Sequence, residues 1–378
     1  MARRAIVLVL DGCGAGAAPD AADFGDSQGV STIKNVWNAC NGLNLPNLRK
    51  IGFLEACGID QQSEFGQFGR LQELSKGKDS VTGHWEMMGI LTKTPFPTYP
   101  NGFPAEIIAE FERRIGTKTV GNKPASGTAI LDELGEEHLK TGFPIVYTSA
   151  DSVYQIACHE SVVPIEKLHE MCVIAREILV APNHVARVIA RPFEGDKPGE
   201  FKRTVRRKDF PLAPPHNLVD EIGNVFGIGV ISELFGGRGF REVHRTQSNP
   251  EHFEMLKTAI ASDAEFIFCN FEDFDMLYGH RNDPAGFGKC LEQFDGYLGQ
   301  ILAMLQPEDL LIITADHGND PTDASTDHSR EYVPVCLVAN GLPPRNLGDV
   351  PGMTAVGATV ASWLGKTWNV GTDLLESH

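Results

Sequence analysis

The sequence predicts an α/β fold, with a mostly parallel central sheet in the core and an inserted α+β domain. Short apolar runs end at acidic or glycine-rich turns, as at Ala5–Leu10 before Asp11. Amphipathic segments such as Lys289–Leu305 separate these runs, and this alternation is typical of βαβ units. Two proline-rich connections, near residues 95–104 and 210–215, bracket a segment of different character. The predicted domains are a core of residues 1–95 and 216–378 and an inserted domain of residues 96–215.

Composition limits the functions that the chain can have. Its 378 residues carry a formal net charge of -17 at pH 7, which argues against a nucleic-acid surface. No run approaches the roughly 18 consecutive apolar residues that a membrane span needs, and the short run after Arg4 suits neither a signal peptide nor an anchor. The eight cysteines are scattered without a C-x-x-C pair, which is typical of a reducing compartment. We therefore expect a cytoplasmic protein without nucleic-acid or membrane partners.

Hydrophobic periodicity and turn residues assign the main elements in chain order. In the core we expect strands at Ala5–Leu10, Phe68–Leu71, Asn224–Ile231, Glu265–Phe271, Leu310–Thr314 and Val333–Val338, and helices from Leu45, at Lys289–Leu305 and at Ala355–Leu364. In the inserted domain we expect helices at Pro104–Gly116 and Pro164–Val180, and strands at Pro144–Tyr147 and Arg187–Ala190. The glycine turn after the first strand lacks the G-x-G-x-x-G spacing, so a dinucleotide site is discarded.

The segment Gly77–Gly89 offers two candidate nucleophiles at the start of a predicted helix. A hydroxyl there lies where unpaired N–H groups and the helix dipole favour an anion. Thr82 is preferred because it stands beside Gly83, although spacing alone does not exclude Ser80. Capping of the helix is the structural alternative for either side chain.

Three predicted strands of the core lead into acidic residues, namely Asp11, Asp275 and Asp316. Because the carboxyl ends of parallel strands meet at one edge of a sheet, we expect these carboxylates to converge. Three imidazoles stand in the same segments, namely His280, His317 and His328. Such a set could hold two divalent cations, for which manganese, iron and zinc are candidates. Two ions about 4 Å apart clamp the attacking and leaving oxygens of a phosphoryl transfer. The structural alternative is that Asp316 and His317 only form turn bonds.

A basic segment lies in the inserted domain of this otherwise acidic chain. Its cationic residues are Arg187, Arg191, Lys197, Lys202, Arg203, Arg206, Arg207 and Lys208. Such a segment suits a small anionic ligand held at one place. A solvated basic face is the alternative.

Several motifs resemble those of phosphopentomutases, a family of the alkaline phosphatase superfamily. They extend over nearly the whole chain and read D-G-x-G, G-K-D-x-x-T-G-H-W-E, P-F-P-T-Y-P-N-G-F-P, Y-T-S-A-D-S-V, R-V-I-A-R-P-F, D-F-D-M-L-Y-G-H-R and T-A-D-H-G-x-D-P-T. The resemblance implies an alkaline-phosphatase-like core with a substrate-binding cap. It also implies interconversion of ribose 1-phosphate and ribose 5-phosphate, and of the 2-deoxyribose pair, through a phosphothreonine enzyme and a bisphosphate intermediate.

The resemblance further implies a role for each candidate residue. Two Mn²⁺ ions would be held by Asp11, Asp275, His280, Asp316, His317 and His328, with Asp11, Asp316 and His317 mainly around the ion beside Thr82. Thr82 would carry the phosphoryl group, and a sugar bisphosphate would prime the enzyme. Substrate contacts would come from Ser149, Asp151 and Val153 toward the ribose, and from Arg187 and Arg203 toward the distal phosphate.

The sequence departs from the family pattern at two positions. Val230 stands where a lysine near the substrate phosphate is usual, and Ser31 stands where an aspartate is common. The first change is expected to weaken phosphate binding unless an arginine such as Arg238 replaces the lysine. Alternative functions are a cofactor-independent phosphoglycerate mutase, which typically uses serine and a different insertion, and a phosphomonoesterase. A metal-dependent binding protein without turnover is the alternative from another class.

Overall fold

Fourteen strands are present in the part of the chain that the computed structural model describes, residues 3–60, 62–149 and 152–376. In chain order they are β1 (Arg4–Leu10), β2 (Gln67–Gln72), β3 (Val120–Pro124), β4 (Ile145–Thr148), β5 (Val153–His159), β6 (Arg187–Glu194), β7 (Lys202–Arg203), β8 (Lys208–Pro211), β9 (Val225–Ile228), β10 (Phe240–His244), β11 (Phe266–Phe271), β12 (Asp309–Thr314), β13 (Val333–Ala339) and β14 (Arg345–Pro351). They divide between two compact units, Met1–Thr94 with Pro214–His378, and Pro95–Ala213.

The same described residues form twelve α-helices. They are α1 (Thr32–Ala39), α2 (Pro46–Lys50), α3 (Phe53–Ala56), α4 (Ser80–Met87), α5 (Ala105–Ile115), α6 (Gly127–Thr141), α7 (Ile165–Ile178), α8 (Leu218–Ile222), α9 (Ile231–Leu234), α10 (Asn249–Ala261), α11 (Pro284–Met304) and α12 (Thr354–Trp363). Among these residues, no helix combines the length and the apolar character that a bilayer span requires.

The sheet of the first unit is mostly parallel. Its strand order is β10-β9-β11-β1-β12-β13-β2-β14, and β13 runs antiparallel to its neighbours β12 and β2. Strands β11, β1 and β12 are buried along their whole length, and each fully buried Val, Leu or Ile side chain stabilises the fold by about 1.5–3 kcal/mol. Leu10 pairs with Phe271 and Val9 with Thr314, so the residues that follow these strands are neighbours. The predicted α/β core is confirmed.

The second unit is a smaller α+β structure around a mixed sheet. Its order is β3-β4-β5-β6-β7, with β8 also paired to β6. Phe111 of α5, Leu168 of α7 and Tyr154 of β5 belong to one apolar cluster. Ile130 of α6 and Phe193 of β6 belong to another. Successive side chains of a strand point to opposite faces, so helices cover both faces of this sheet.

Three predicted element boundaries were wrong by three residues or more, and one of them is the end of β6, which reaches Glu194 and not Ala190. The strand expected to reach Ile231 ends at Ile228, because Gly229 has a φ of +77° and the chain then turns into α9. Val230 therefore lies before a helix and not within a strand. The helix expected from Lys289 already begins at Pro284, where Asp283 Oδ1 accepts a hydrogen bond of 2.9 Å from the Gly286 amide. Elements that the sequence did not predict are β3, β5, β7, β8, β10, β14, α1, α3, α6, α8, α9 and α10.

Candidate metal and phosphoryl-transfer site

Six side chains predicted as metal ligands lie together at the carboxyl edge of the central sheet. Ligand atoms of Asp11, Asp316 and His317 lie within 4.8 Å of one another, and so do those of Asp275, His317 and His328. His280 joins the second group, because its Nε2 lies 3.1 Å from Asp275 Oδ2 and 3.2 Å from His328 Nε2. His317 therefore belongs to both groups, whereas the sequence had assigned it mainly to the first.

Local structure and two asparagines orient these ligands. Asp275 lies in a π-helical turn, Phe274–Tyr278, that directly follows β11, and such turns are frequent at functional sites. Asn319 Nδ2 donates to Asp275 Oδ1 at 2.6 Å, and Asn270 Nδ2 donates to Asp11 Oδ2 at 2.6 Å. Each of these hydrogen bonds uses one oxygen of the carboxylate, so the other oxygen does not contact the asparagine. The asparagines thus fix the carboxylates without neutralising them.

The electrostatics of the site favour a bound cation. Asp11, Asp275 and Asp316 are all buried. Burial, together with the nearby Asp316 and Asp275, raises the pKa of Asp11. Burial also disfavours the charged form of Asp316, but His317 and His84 outweigh it and lower the pKa of Asp316 below its usual range. Three carboxylates so close together repel one another, and a divalent cation would remove that repulsion.

Two of the carboxylate oxygens in the site accept no hydrogen bond from the described residues. They are Asp11 Oδ1 and Asp316 Oδ2, and both are buried. His84 Nδ1 and His317 Nε2 each lie 3.3 Å from Asp316 Oδ2, but His84 Nδ1 is closer to the Ser80 carbonyl oxygen, at 2.8 Å. An unpaired buried carboxylate oxygen is unfavourable unless a cation binds it. The residues present therefore fit divalent metal ions.

The two candidate hydroxyls of α4 have different surroundings. Thr82 is fully buried and closes a capping box, in which the Asp79 amide donates to Thr82 Oγ1 at 3.3 Å and the Thr82 amide donates to Asp79 Oδ1 at 3.2 Å. Thr82 Oγ1 also donates to the Asp79 carbonyl at 3.0 Å. Ser80 Oγ lies 3.1 Å from His317 Nε2, the atom that also faces Asp11 Oδ1 at 3.4 Å. Of the two hydroxyls, Ser80 is the one that contacts the ligand cluster.

A glycine brings α4 against the loop that follows β12. A Cβ atom at Gly83 would lie 2.1 Å from the Asp316 carbonyl oxygen, so only glycine allows this approach. The Gly12 amide, after β1, donates to Asp316 Oδ1 at 3.1 Å from the other side. The start of α4 is therefore packed directly on Asp316, which belongs to the first ligand group and immediately precedes the shared His317.

The predicted substrate residues lie in the second unit. Ser149 is half-buried after β4, and Val153 is buried at the start of β5. Asp151 lies outside the described residues. Arg187 begins β6, and its Nη1 lies 3.6 Å from Asp209 Oδ2.

Arg203 belongs to β7, and its side chain lies against the start of α6. Its guanidinium covers Gly127, the first residue of α6, where a Cβ would be 1.1 Å from Arg203 Nη2. Burial, with the nearby Arg207 and Arg203, lowers the pKa of Arg191 to about 10. Guanidinium groups beside a helix N-terminus make this part of the unit favourable for an anion.

The surroundings of Val230 differ from the expectation based on the sequence. Arg238 forms two hydrogen bonds with the Asp220 carboxylate, at 2.7 and 2.8 Å, and is exposed. Glu272 accepts a backbone hydrogen bond from Val230, and Arg245 Nη1 donates to Glu272 Oε1 at 2.9 Å. Burial raises the pKa of Glu272 to about 7. Arg245, and not Arg238, is therefore the arginine paired to the carboxylate that contacts Val230.

Several residues that support the site were not singled out from the sequence. They are Glu73, His84, Asn270, Asn319, Arg330 and Glu331. Asn270 carried a usable signal, since it interrupts the apolar run of β11 with a polar side chain. Arg330 and Glu331 follow His328 closely, but nothing in the sequence distinguishes a buried charged pair from an exposed one.

Comparison with known proteins identifies the family. Residues 3–366 match the model of the Metalloenzyme superfamily, which agrees with the candidate ligand groups in supporting divalent metal binding. The fold resembles the PH0037 protein of Pyrococcus horikoshii, with a TM-score of 0.50, 17% identity and coverage of 98% of this chain and 99% of that one.

Curated relatives are much closer in sequence. The phosphopentomutase of Dictyoglomus thermophilum is 53% identical over 89% of this chain and 88% of its own. Those of Symbiobacterium thermophilum and Clostridioides difficile are each 48% identical over 96% of this chain and 95% of their own. The resemblance seen in the motifs is confirmed, and the chain belongs to the phosphopentomutase family of metalloenzymes.

Proposed function

We propose that this chain, an isomerase-class phosphomutase by its family, interconverts ribose 1-phosphate and ribose 5-phosphate, and the 2-deoxyribose pair. The observation that carries the proposal is the start of α4, with the hydroxyls of Ser80 and Thr82, packed against a cluster of three carboxylates and three imidazoles. This arrangement has the parts that phosphoryl transfer requires, namely a nucleophile, an anion-favouring helix terminus and sites for cations.

Two Mn²⁺ ions are the proposed cofactors, although the same ligands accept other divalent ions. One ion is assigned to Asp11, Asp316 and His317, and the other to Asp275, His280 and His328. When bound, such ions lower the pKa of a coordinated hydroxyl and neutralise phosphate oxygens.

We assign the phosphoryl group to Thr82, as the motif suggested. The support is the place of Thr82 in the first turn of α4, beside Gly83, which packs on the Asp316 carbonyl of the ligand cluster. An anion on the Thr82 oxygen lies beside the free N–H groups of the helix start. Ser80, whose Oγ lies 3.1 Å from His317 Nε2, is the second candidate in the same turn.

The reaction has two transfers. Phospho-Thr82 gives its phosphoryl group to the free hydroxyl of a pentose monophosphate, which releases the threonine hydroxyl and forms a pentose bisphosphate. The Thr82 oxygen then attacks the other phosphate of the bisphosphate, so the isomeric monophosphate leaves and phospho-Thr82 is restored. A sugar bisphosphate is therefore the proposed primer of unphosphorylated enzyme.

The second unit is proposed to recognise the sugar end of the substrate. Arg187 and Arg203 are assigned to the distal phosphate, because a planar guanidinium can bind two phosphate oxygens at once. Ser149, Asp151 and Val153 are assigned to the ribose.

The eight cysteines form no disulfide, which supports a reducing compartment and a cytoplasmic location.

The function can be tested with purified enzyme, Mn²⁺ and a catalytic amount of ribose 1,5-bisphosphate. We expect conversion of ribose 1-phosphate into ribose 5-phosphate with little release of inorganic phosphate. Steady release of inorganic phosphate would instead indicate a phosphomonoesterase. Turnover of 3-phosphoglycerate, and none of pentose phosphates, would indicate a phosphoglycerate mutase.

Replacement of Val230 by Lys is expected to lower the KM for ribose 5-phosphate several-fold. The added cation would lie beside Glu272, where it can attract a phosphate. The measurement is the KM at several ionic strengths, and Val230→Met, which adds length without charge, is the control. An unchanged KM, or an equal effect of the methionine variant, would count against a phosphate site near Val230.

A further inference from the structure

Glu331 is a buried carboxylate whose hydrogen-bond partners, in the described part of the chain, are amides and hydroxyls. It is 2% exposed. Its Oε1 accepts from Thr32 Oγ1 and from Ser329 Oγ, each at 2.7 Å. Its Oε2 accepts from the Thr32 amide at 3.0 Å and from the Gly16 amide at 3.1 Å. These four donors satisfy the carboxylate and fix it in one orientation.

The Glu331 side chain contacts three turns that carry four of the six candidate metal ligands. The turns contain Asp11, Asp316 with His317, and His328, and the residues in them that contact Glu331 are Gly16, Gly318 and Ser329 in the same order. Gly318 packs on the carboxylate, because a Cβ at residue 318 would lie 2.4 Å from Glu331 Oε1. Its backbone also exchanges two hydrogen bonds with that of Ser329, at 3.1 and 2.8 Å. One side chain thus holds the three turns together.

Thr32 extends this network to a fifth candidate ligand, Asp275. Thr32 Oγ1 donates to Glu331 and accepts from the Asn319 amide at 3.1 Å. The same amide also donates to the Gly12 carbonyl at 2.9 Å. Asn319 Nδ2 then donates to Asp275 Oδ1 at 2.6 Å. The Glu331 carboxylate therefore sets the direction of the Thr32 hydroxyl, and that hydroxyl helps to hold the asparagine that orients Asp275.

We propose that Glu331 is a positioning residue for the metal centre, which holds the ligand-bearing turns and Asp275 in the geometry that divalent ions require. It does not bind an ion itself, because donors already occupy both of its oxygens. Partners that orient metal ligands typically change metal affinity by about 10- to 100-fold when they are replaced. This role rests on the proposed assignment of divalent ions to the ligand cluster.

Glu331→Gln breaks the network in either orientation of the new amide group. If the amide nitrogen replaces Oε2, it faces the Thr32 and Gly16 amides, which cannot accept a hydrogen bond. If it replaces Oε1, the Thr32 hydroxyl loses its acceptor and must turn, although its oxygen also accepts from the Asn319 amide. The side chain keeps its size, so the variant tests the hydrogen bonds and not the packing.

Asp295 provides a matched control for the loss of a buried carboxylate. It is 3% exposed and accepts from the Asn47 and Leu48 amides, at 2.9 and 2.7 Å, and from Asn47 Nδ2 at 2.9 Å. These partners belong to α2, and none of them is a candidate ligand or adjoins one in the sequence. Asp295→Asn should therefore lower the Tm without changing the affinity for Mn²⁺.

The test is a titration of the full chain with Mn²⁺ alone, in which electron paramagnetic resonance measures the free ion. We expect Glu331→Gln to weaken Mn²⁺ binding by about 10- to 100-fold relative to the wild type and to Asp295→Asn. Excess Mn²⁺ should restore most of the kcat of Glu331→Gln, because the ligands and the nucleophile are intact. Burial raises the pKa of Glu331 to about 7, so the titration is made at about pH 8, where the side chain is ionised.

Two variants of Thr32 test the connection to Asp275. Thr32→Val keeps the shape of the side chain and removes the hydroxyl between Glu331 and Asn319. It should weaken Mn²⁺ binding by a smaller factor than Glu331→Gln, and it serves if that variant does not fold. Thr32→Ser keeps the hydroxyl and should restore most of the affinity that Thr32→Val loses.

The outcomes separate this role from the proposed function. Equal Mn²⁺ affinities of folded Glu331→Gln and Asp295→Asn would overturn the positioning role, and so would equal affinities of Thr32→Val and the wild type. Failure of the wild-type chain to bind Mn²⁺ would instead overturn the proposed metal assignment, and the positioning role with it.

Discussion

Replacement of Thr82 by Ala is expected to lower mutase turnover by about 10⁴-fold or more, since loss of a nucleophile removes the covalent route. Thr82 lies in the first turn of α4, where Gly83 packs on the Asp316 carbonyl. The variant also loses the hydroxyl that closes the capping box, which should lower the free energy of unfolding by about 1 kcal/mol. The measurements are kcat and the mass of the protein after incubation with a pentose bisphosphate, which should show no added phosphoryl group.

Ser80→Ala is the matched control for Thr82. It removes the hydroxyl that lies 3.1 Å from His317 Nε2 and leaves the capping box of Asp79 and Thr82 in place. We expect a fall in kcat of roughly tenfold or less, since this hydroxyl serves geometry and not chemistry. Fragmentation of the phosphorylated peptide should locate the phosphate on Thr82. Phosphate on Ser80, with an inactive Ser80→Ala variant, would contradict the assignment to Thr82.

Removal of the cations is expected to abolish turnover to a similar extent. Dialysis against a chelator should inactivate the enzyme, and added Mn²⁺ should restore it, because the buried carboxylates need a cation to act on phosphate. Asp316→Asn should lower the metal content of the protein, and it should lower kcat by roughly 10³-fold. The reason is that Asp316 Oδ2 accepts no hydrogen bond from the described residues and is directed into the site. Metal content by mass spectrometry and kcat are the measurements.

Asp309→Asn is the control for this prediction. Asp309 is as buried as Asp316, but it pairs with Arg4 at the opposite end of the sheet. Its replacement should reduce stability and leave the metal content unchanged. Full activity of wild-type enzyme in excess chelator, with no metal detected, would contradict a metal-dependent transfer.

The convergence of the candidate ligands could be predicted from the sequence, because strand direction and residue type are both local properties. Apolar runs predict where β1, β11 and β12 end, and parallel pairing brings their carboxyl ends together. Asp11, Asp275 and Asp316 therefore converge without any need to know the rest of the fold. The inserted unit was likewise visible from its two proline-rich connections.

The choice of hydroxyl could not be made in this way. Ser80 and Thr82 are two residues apart, and their different contacts depend on how α4 packs against the loop after β12. That packing is set by Gly83 and by the capping box, which are tertiary features. Arg330 was missed for the same reason, since its partners Asp20, Glu73 and Gly77 are distant in sequence.

The place of His317 in both ligand groups has a thermodynamic consequence. Its Nδ1 lies 3.1 Å from the Gly318 carbonyl oxygen, so Nε2 is the nitrogen that faces the acids. A neutral imidazole nitrogen has a single lone pair and can bind only one cation. With His317 assigned to the ion of Asp11 and Asp316, the proposed second ion would rely on Asp275, His280 and His328 alone.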